Sequence, residues 1–248
     1  MKDIVENTIN KLDDIFEGIN DKNLFKAVIL AGGPGSGKSF IGDMTLKGDM
    51  KFIASDVPFE MLLDKFDLPH ELDIDSPEYD AQMAQREKAI SMTQHQAYHW
   101  INGMLPVVLD GTGQNYDKIV RITKQLRELG YDVSMIFVET SLEVALNRQN
   151  MRKRKIDPRV ATSIWNTVKE NIPKYEAFFG KKDFHVVENN EYLEGSELEK
   201  LKAELVKLGN SIARSPLKNP KGKQLLDLMK KTKSKLLSDI GKDIQIKL

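Results

Sequence analysis

Four residue types at fixed spacing carry the first chemical signal. Gly32, Gly33, Pro34, Gly35, Ser36, Gly37, Lys38 and Ser39 form the pattern G-x-x-x-x-G-K-S. Glycines in such a run let successive backbone N–H groups turn inward onto a phosphate. A helix starting at Gly37 or Lys38 adds free N–H groups and a partial positive charge. Lys38 has the reach for β- and γ-phosphates, and the Ser39 hydroxyl can ligate Mg²⁺. The loop needs a strand before it, and Ala27-Val28-Ile29-Leu30 is a continuous apolar run suited to burial on both faces of a parallel sheet.

Two carboxylates follow at the ends of further short apolar runs. Lys51-Phe52-Ile53-Ala54 reads as a strand closed by Ser55-Asp56, and Pro106-Val107-Val108-Leu109 as one closed by Asp110-Gly111-Thr112-Gly113. Ligands of parallel sheets sit beyond the carboxyl ends of strands, so both aspartates are expected at the same crevice. Asp56, expected on the strand beside the first, can accept the proton of an attacking hydroxyl; it can also cap a helix ahead of Pro58. Asp110 can hold Mg²⁺ or its waters, or satisfy the amides of a turn. Arg148 and Arg152, four apart before Asp157-Pro158, can clamp phosphates from a basic helix end. The same cations also suit the dipole at a helix C-terminus.

The rest of the chain supplies the framework. Ile4, Ile9, Leu12, Ile15, Phe16 and Ile19 predict an amphipathic helix over the first twenty residues, packed on the core or offered to a partner. Helices are expected over 38–47, 58–70, 76–102, 115–129, 141–155, 159–179 and 197–212. Further strands are expected at 133–138 and 184–187. The acidic stretch 71–80 reads as a solvated connection. His95 and His99 share a helix face, but no third metal ligand accompanies them. From Pro216 onward nine lysines face three aspartates, so the tail is strongly basic although the 248-residue chain has formal net charge zero. That tail reads as a solvated helix, a nucleic-acid contact or a membrane-surface contact.

Composition narrows the class. With no cysteine, disulfides, thiolate metal sites and a cysteine nucleophile are excluded. No apolar run reaches membrane-spanning length, and the acidic N-terminus lacks the form of a signal peptide, so a soluble, intracellular, cytoplasmic protein is expected.

In their order, these signals resemble the P-loop kinases of the polynucleotide kinase and zeta-toxin type, over roughly residues 25–188. The likeness lies in GGPGSGKS (32–39), in Asp56, in VVLDGTG (107–113), in FVETSLEVALNRQNMRKR (137–154) and in IPKYEAFFGKKDFHVV (172–187). Where many relatives carry an arginine shortly after the aspartate, this chain has Val57-Pro58-Phe59-Glu60. The resemblance implies ATP and Mg²⁺ as cofactors, held by the loop with Lys38 and Ser39. It implies Asp56 as general base, Asp110 supporting the metal shell or the acceptor, and Arg148 and Arg152 as lid arginines.

The fold expected is a three-layer α/β P-loop architecture with a mainly parallel five-stranded sheet. An N-terminal helix (1–24), a kinase domain (25–215) and a basic helical tail (216–248) would divide the chain. Residues 57–104 would form an acceptor-side insert and 147–160 the lid. The activity implied is γ-phosphoryl transfer to a hydroxyl, a nucleic-acid 5′ end or hydroxymethylated base first, a nucleotide sugar or small metabolite second. An ATP-driven switch without an acceptor is the rival. A protein partner could dock on the N-terminal helix or the tail.

Overall fold

The computed structural model describes residues 23–152 and 154–245, with side chains described as far as Lys235. The helix expected over the first twenty residues lies outside that range. Five strands are present among the described residues: β1 (Lys26–Ala31), β2 (Lys51–Ile53), β3 (Val107–Asp110), β4 (Asp132–Glu139) and β5 (Phe184–Glu188). All pair in parallel, in the order β2-β3-β1-β4-β5.

β1 is central and wholly buried, and its side chains divide strictly between two cores. Ala27, Ile29 and Ala31 point to one face with Met135 and Phe137 of β4. Val28 and Leu30 point to the other with Ile136 and Val138. This period of two is what makes a strand apolar at every position when both faces are covered. Each fully buried aliphatic side chain contributes about 1.5–3 kcal/mol relative to exposure.

The helices complete the layers. They are α1 (Lys38–Leu46), α2 (Asp56–Lys65), α3 (Tyr79–Asn102), α4 (Tyr116–Glu128), α5 (Leu142–Asn150), α6 (Pro158–Phe179), α7 (Gly195–Ala213) and α8 (Pro220–Gln245). α1 and α7 cover the Val28 face through Ile41, Leu46, Leu205 and Ile212. α4 and α6 cover the Ile29 face through Leu126, Val168 and Tyr175. α2 and α3 make a separate small core of Phe59, Leu62, Leu63 and Ala89 beyond the β2 edge.

Local signals set the helix starts. Asn115 Oδ1 accepts from Lys118 N (2.9 Å) at α4, Ser141 Oγ from Val144 N (3.3 Å) at α5, and Asp157 Oδ1 from Arg159 N (2.7 Å) at α6. Pro158 takes the first helical position after Asp157.

Two expectations need correction. β3 lies between β1 and β2, so Asp56 reaches the crevice from the next strand but one, not from an immediate neighbour of β1. The helix expected over 141–155 ends at Asn150. Arg152 N turns back onto Gln149 O (3.2 Å), and Gln149 Nε2 holds Arg154 O (3.4 Å), which folds the chain out of helical register. Arg152 therefore does not extend the face of Arg148.

Candidate functional site

The glycine-rich loop leaves β1 and enters α1 under tight constraint. Gly35 has φ +80°, and a Cβ there would collide with the Ala145 carbonyl of α5. Gly37 has φ +86°, and a Cβ there would strike Asn189 Nδ2. Both positions demand glycine on conformation and on space together. The loop is pinned from β4 and β5: Ser36 O accepts from Asn189 Nδ2 (2.7 Å) and Thr140 Oγ1 (3.2 Å). Trp165 of α6 donates Nε1–H to Thr140 O (2.8 Å) and lies against Gly33.

Lys38, at the start of α1, folds back over the loop. Its Nζ donates to Gly32 O (2.8 Å) and Gly33 O (3.3 Å). Burial lowers its pKa from the usual lysine range, Asp110 and Asp56 oppose that shift, and Arg152 adds to it. Ser39, one residue on, is exposed.

Asp110 closes β3 in register with Leu30 of β1. Past the paired residues, Gly111 N donates to Leu30 O (3.0 Å) and Gly32 N to Thr112 O (3.2 Å), so the two strand ends stay joined into the loop. This places the Asp110 carboxyl beside Lys38. Its Oδ1 is buried with no hydrogen-bond partner among the described residues. Desolvation raises its pKa above the ordinary carboxylate range; Asp56 adds to that, while Lys38, Arg152 and the Gly111 N–H oppose it.

Asp56 is the first residue of α2, with Ser55 in the cap position and no side-chain capping bond. The capping alternative is therefore not what its carboxylate does. Its Oδ2 instead meets Arg154 Nη2 at 2.8 Å. Glu60, one turn further along α2, lies 3.7 Å from Arg154 Nε, and the guanidinium stands 5.7 Å from the Phe59 ring centroid. Sequence reasoning passed over Arg154. The acidic pair Asp56 and Glu60, four apart on a helix, was the available signal.

The two arginines singled out from sequence part company. Arg148 is held at the β5 end: Nη1 donates to Asn189 O (2.7 Å), Nη2 to Glu191 O (3.2 Å), and the guanidinium lies 4.9 Å from the Tyr192 ring centroid. Its Nη1 also flanks Gly37. Arg152 is exposed, yet its charge acts on both Lys38 and Asp110. Lys38, Asp56, Asp110 and Arg152 thus share one electrostatic neighbourhood. His95 and His99 stand outside it, an exposed pair with Nε2 atoms 3.2 Å apart.

Beside Asp110 a cleft of roughly 480 Å³ opens between α3 and α4. Ile53, Ile90, Leu109 and Ile122 give it an apolar floor, and Arg86 and Lys118 stand among its lining. Neutral polar groups of Thr93, Gln94, Gln114 and Asn115 line the remainder.

A nucleotide phosphate fits this donor set. The glycine-rich loop, a lysine detained by two carbonyls and the N-terminus of α1 lie together. Among the described residues no cluster of three or more His, Asp or Glu could hold a metal alone. That suits Mg²⁺, which takes one or two protein oxygens and completes its shell with phosphates and water. Ser39 and Asp110, whose Oδ1 has no partner among the described residues, are the residues that would supply them.

The parallel sheet in 2-3-1-4-5 order, with its phosphate loop between β1 and α1 and carboxylates at two neighbouring strand ends, defines a P-loop kinase fold. The zeta toxin family matches residues 11–197, and the chain belongs to that family. Among solved structures it is similar to one from the PezAT chromosomal toxin-antitoxin system of Streptococcus pneumoniae, at 14% identity, covering 97% of each chain with a TM-score of 0.53. It is also similar to the AvrRxo1-ORF1:AvrRxo1-ORF2 structure, at 15% identity, 77% of this chain, 72% of that one and a TM-score of 0.52. A shikimate kinase from Bacteroides thetaiotaomicron aligns at 15% identity over 74% of this chain and 97% of its own, with a TM-score of 0.45. No curated protein matches the sequence significantly. No described helix is long and apolar enough to cross a membrane.

Proposed function

We propose that this protein transfers the γ-phosphoryl group of ATP, as its Mg²⁺ complex, to a hydroxyl of an acceptor lying in the cleft beside Asp110. The observation that carries this reading is the shared field of Lys38, Asp56, Asp110 and Arg152 at the carboxyl end of the sheet. The amides of Gly35, Gly37, Lys38 and Ser39 hold the phosphates, and Lys38 exchanges its two carbonyls for β- and γ-phosphate oxygens. Ser39 and Asp110 would hold Mg²⁺, which would supply neutralisation of phosphate charge. Asp56 takes the proton of the acceptor hydroxyl. Arg152 faces the transferred group, and Arg148 holds the β5 loop against Gly37. Positioning and charge neutralisation supply most of the catalysis in such a transfer.

The acceptor we favour is a small hydroxylated metabolite or a nucleotide sugar. The cleft is of small-molecule size, apolar at its base, with neutral polar groups and the cations Arg86 and Lys118 around it. The basic tail, the main feature favouring nucleic acid, departs from the opposite end of the sheet. Lys218 N and Asn219 N, just before α8, bond the Asp132 carboxylate at the start of β4. A nucleic-acid hydroxyl is the second reading. The PezAT structure is that of a toxin-antitoxin system, and a protein partner on the basic tail is the corresponding proposal here.

The test uses γ-labelled ATP and Mg²⁺ with a panel of a uridine-diphosphate sugar, small polyols, a 5′-hydroxyl oligonucleotide and hydroxymethylated duplex. Label should pass to one acceptor class, and Asp56→Asn should abolish that transfer while leaving ADP affinity intact. Equal turnover by the two proteins would refute the base assignment. Label found only in inorganic phosphate, whatever the acceptor, would favour an ATP-driven switch.

A further inference from the structure

Asp56 opens α2, and the residues that follow it, Val57-Pro58-Phe59-Glu60, offer it no cation. The cation comes from another element. Arg154 reaches across from the connection between α5 and α6, and its side chain is only 10% exposed although the Asp56 and Glu60 side chains are 55% and 49% exposed. A guanidinium so enclosed between exposed carboxylates is held by more than surface attraction. Phe59, itself 1% exposed, forms the wall under it. Arg86 of α3 stands 5.8 Å from the same ring centroid. Glu60 and Asp56 are one helical turn apart, so both face the one fork.

Resting on the kinase reading above, we propose that Arg154 is the positioning residue of the Asp56 carboxylate, with Glu60 as its anchor. A guanidinium has a rigid planar fork, and the contact of Nη2 with Oδ2 alone favours one rotation of the carboxylate. Oδ1 then points away from the fork and is the oxygen that receives the acceptor proton. Glu60 lies 3.7 Å from Nε on the same edge, a second carboxylate that keeps Arg154 in place while the charge on Asp56 changes during the reaction. The arrangement also ties the α5–α6 connection to α2, so the segment over the phosphates and the base move together.

The role differs from that of a phosphate ligand, and the two separate experimentally. Arg154→Ala, Arg154→Lys, Glu60→Gln and the Arg154→Ala/Glu60→Gln double variant are assayed for phosphate release from γ-labelled ATP, with water as the acceptor. The same proteins are titrated with the Mg²⁺ complex of a non-hydrolysable ATP analogue. Turnover should fall at least ~10-fold in Arg154→Ala and stay low in Arg154→Lys, because an ammonium cannot bridge two carboxylates in a plane. Glu60→Gln should lose about 3- to 10-fold, the double variant should be no worse than Arg154→Ala, and analogue affinity should change less than about twofold throughout. Analogue affinity falling in step with turnover would make Arg154 a phosphate ligand and overturn the proposal, as would unchanged turnover in Arg154→Ala.

Urea unfolding of the same variants tests the pairing without turnover. The two single substitutions should shift the midpoint non-additively, and additive shifts would contradict the contact. Failure of the kinase reading shows elsewhere, as Asp56→Asn hydrolysing ATP like wild type while the unfolding cycle still reports coupling.

Discussion

The molecule has a lysine and an aspartate facing each other at both ends of its sheet, and the two pairs are built to opposite specifications. At the amino ends of the strands, Lys26 Nζ meets Asp132 Oδ2 at 2.8 Å, Ser215 Oγ at 3.0 Å and Pro216 O at 3.4 Å. Asp132 is completed by Lys218 N on Oδ2 and Asn219 N on Oδ1, each at 2.8 Å. Polar capacity is met on both partners, and α8 is thereby tied to the sheet. At the carboxyl ends, Lys38 rests on two carbonyls and Asp110 leaves a buried oxygen without a partner. Burial pushes the Lys38 pKa down and the Asp110 pKa up. A satisfied buried pair holds structure. On the proposed reading, the Asp110 oxygen left without a partner among the described residues holds a place for a ligand, since a buried polar atom is costly to leave unpaired.

The contrast is broken most severely by substituting the lysines in turn. Lys38→Met should lower phosphoryl transfer by about 10³-fold or more, with thermal stability unchanged or raised, because it removes a desolvated charge. Steady-state kinetics beside thermal unfolding checks both halves. Lys26→Met should do the reverse. Its side chain is 2% exposed and that of Asp132 14%, so removing one partner strands the other, at about 3 kcal/mol or more of stability. Its turnover per folded molecule should match wild type, and denaturant unfolding with an activity assay tests this.

A subtler effect follows from Asp110. Because its pKa is raised, the folded chain keeps that proton to higher pH than the unfolded chain. The cost is absent below the ordinary carboxylate range and complete above the raised value, so stability falls with rising pH across that window. Asp110→Asn should flatten the slope, measured by unfolding without nucleotide from acid to neutral pH. Equal slopes in the two proteins would contradict the assignment. The smallest expected effect is at Trp165→Phe, which deletes the bond to Thr140 O while keeping a ring near Gly33. It should cost about 1 kcal/mol and loosen nucleotide binding only a few-fold, read by titration.

Much of this was legible beforehand, for physical reasons. The five strands were visible because each is short, apolar and closed by a polar turn, and β1 has no polar residue from Ala27 to Ala31. The phosphate loop was visible because Gly35 and Gly37 occupy backbone conformations that other residues resist. Asn115, Ser141 and Asp157-Pro158 marked helix starts through bonds made within four residues. What escaped depends on contacts between distant segments. Arg154 meets Asp56 across nearly a hundred residues, and Asn189 and Thr140 pin Ser36 from two other strands. Spacing cannot report such partners. The end of α5 escaped because the Gln149 side chain bonds Arg154 O, a competitor to the helix that charge periodicity does not register.

The central claim is that the unsatisfied pair of Lys38 and Asp110 is completed by a nucleotide's phosphates and Mg²⁺. Calorimetric titration of ADP with Mg²⁺ into wild type, Lys26→Met and Lys38→Met tests it most directly. The account predicts tight binding by the first two and at least ~100-fold weaker binding by the third. Equal affinity in all three would contradict it.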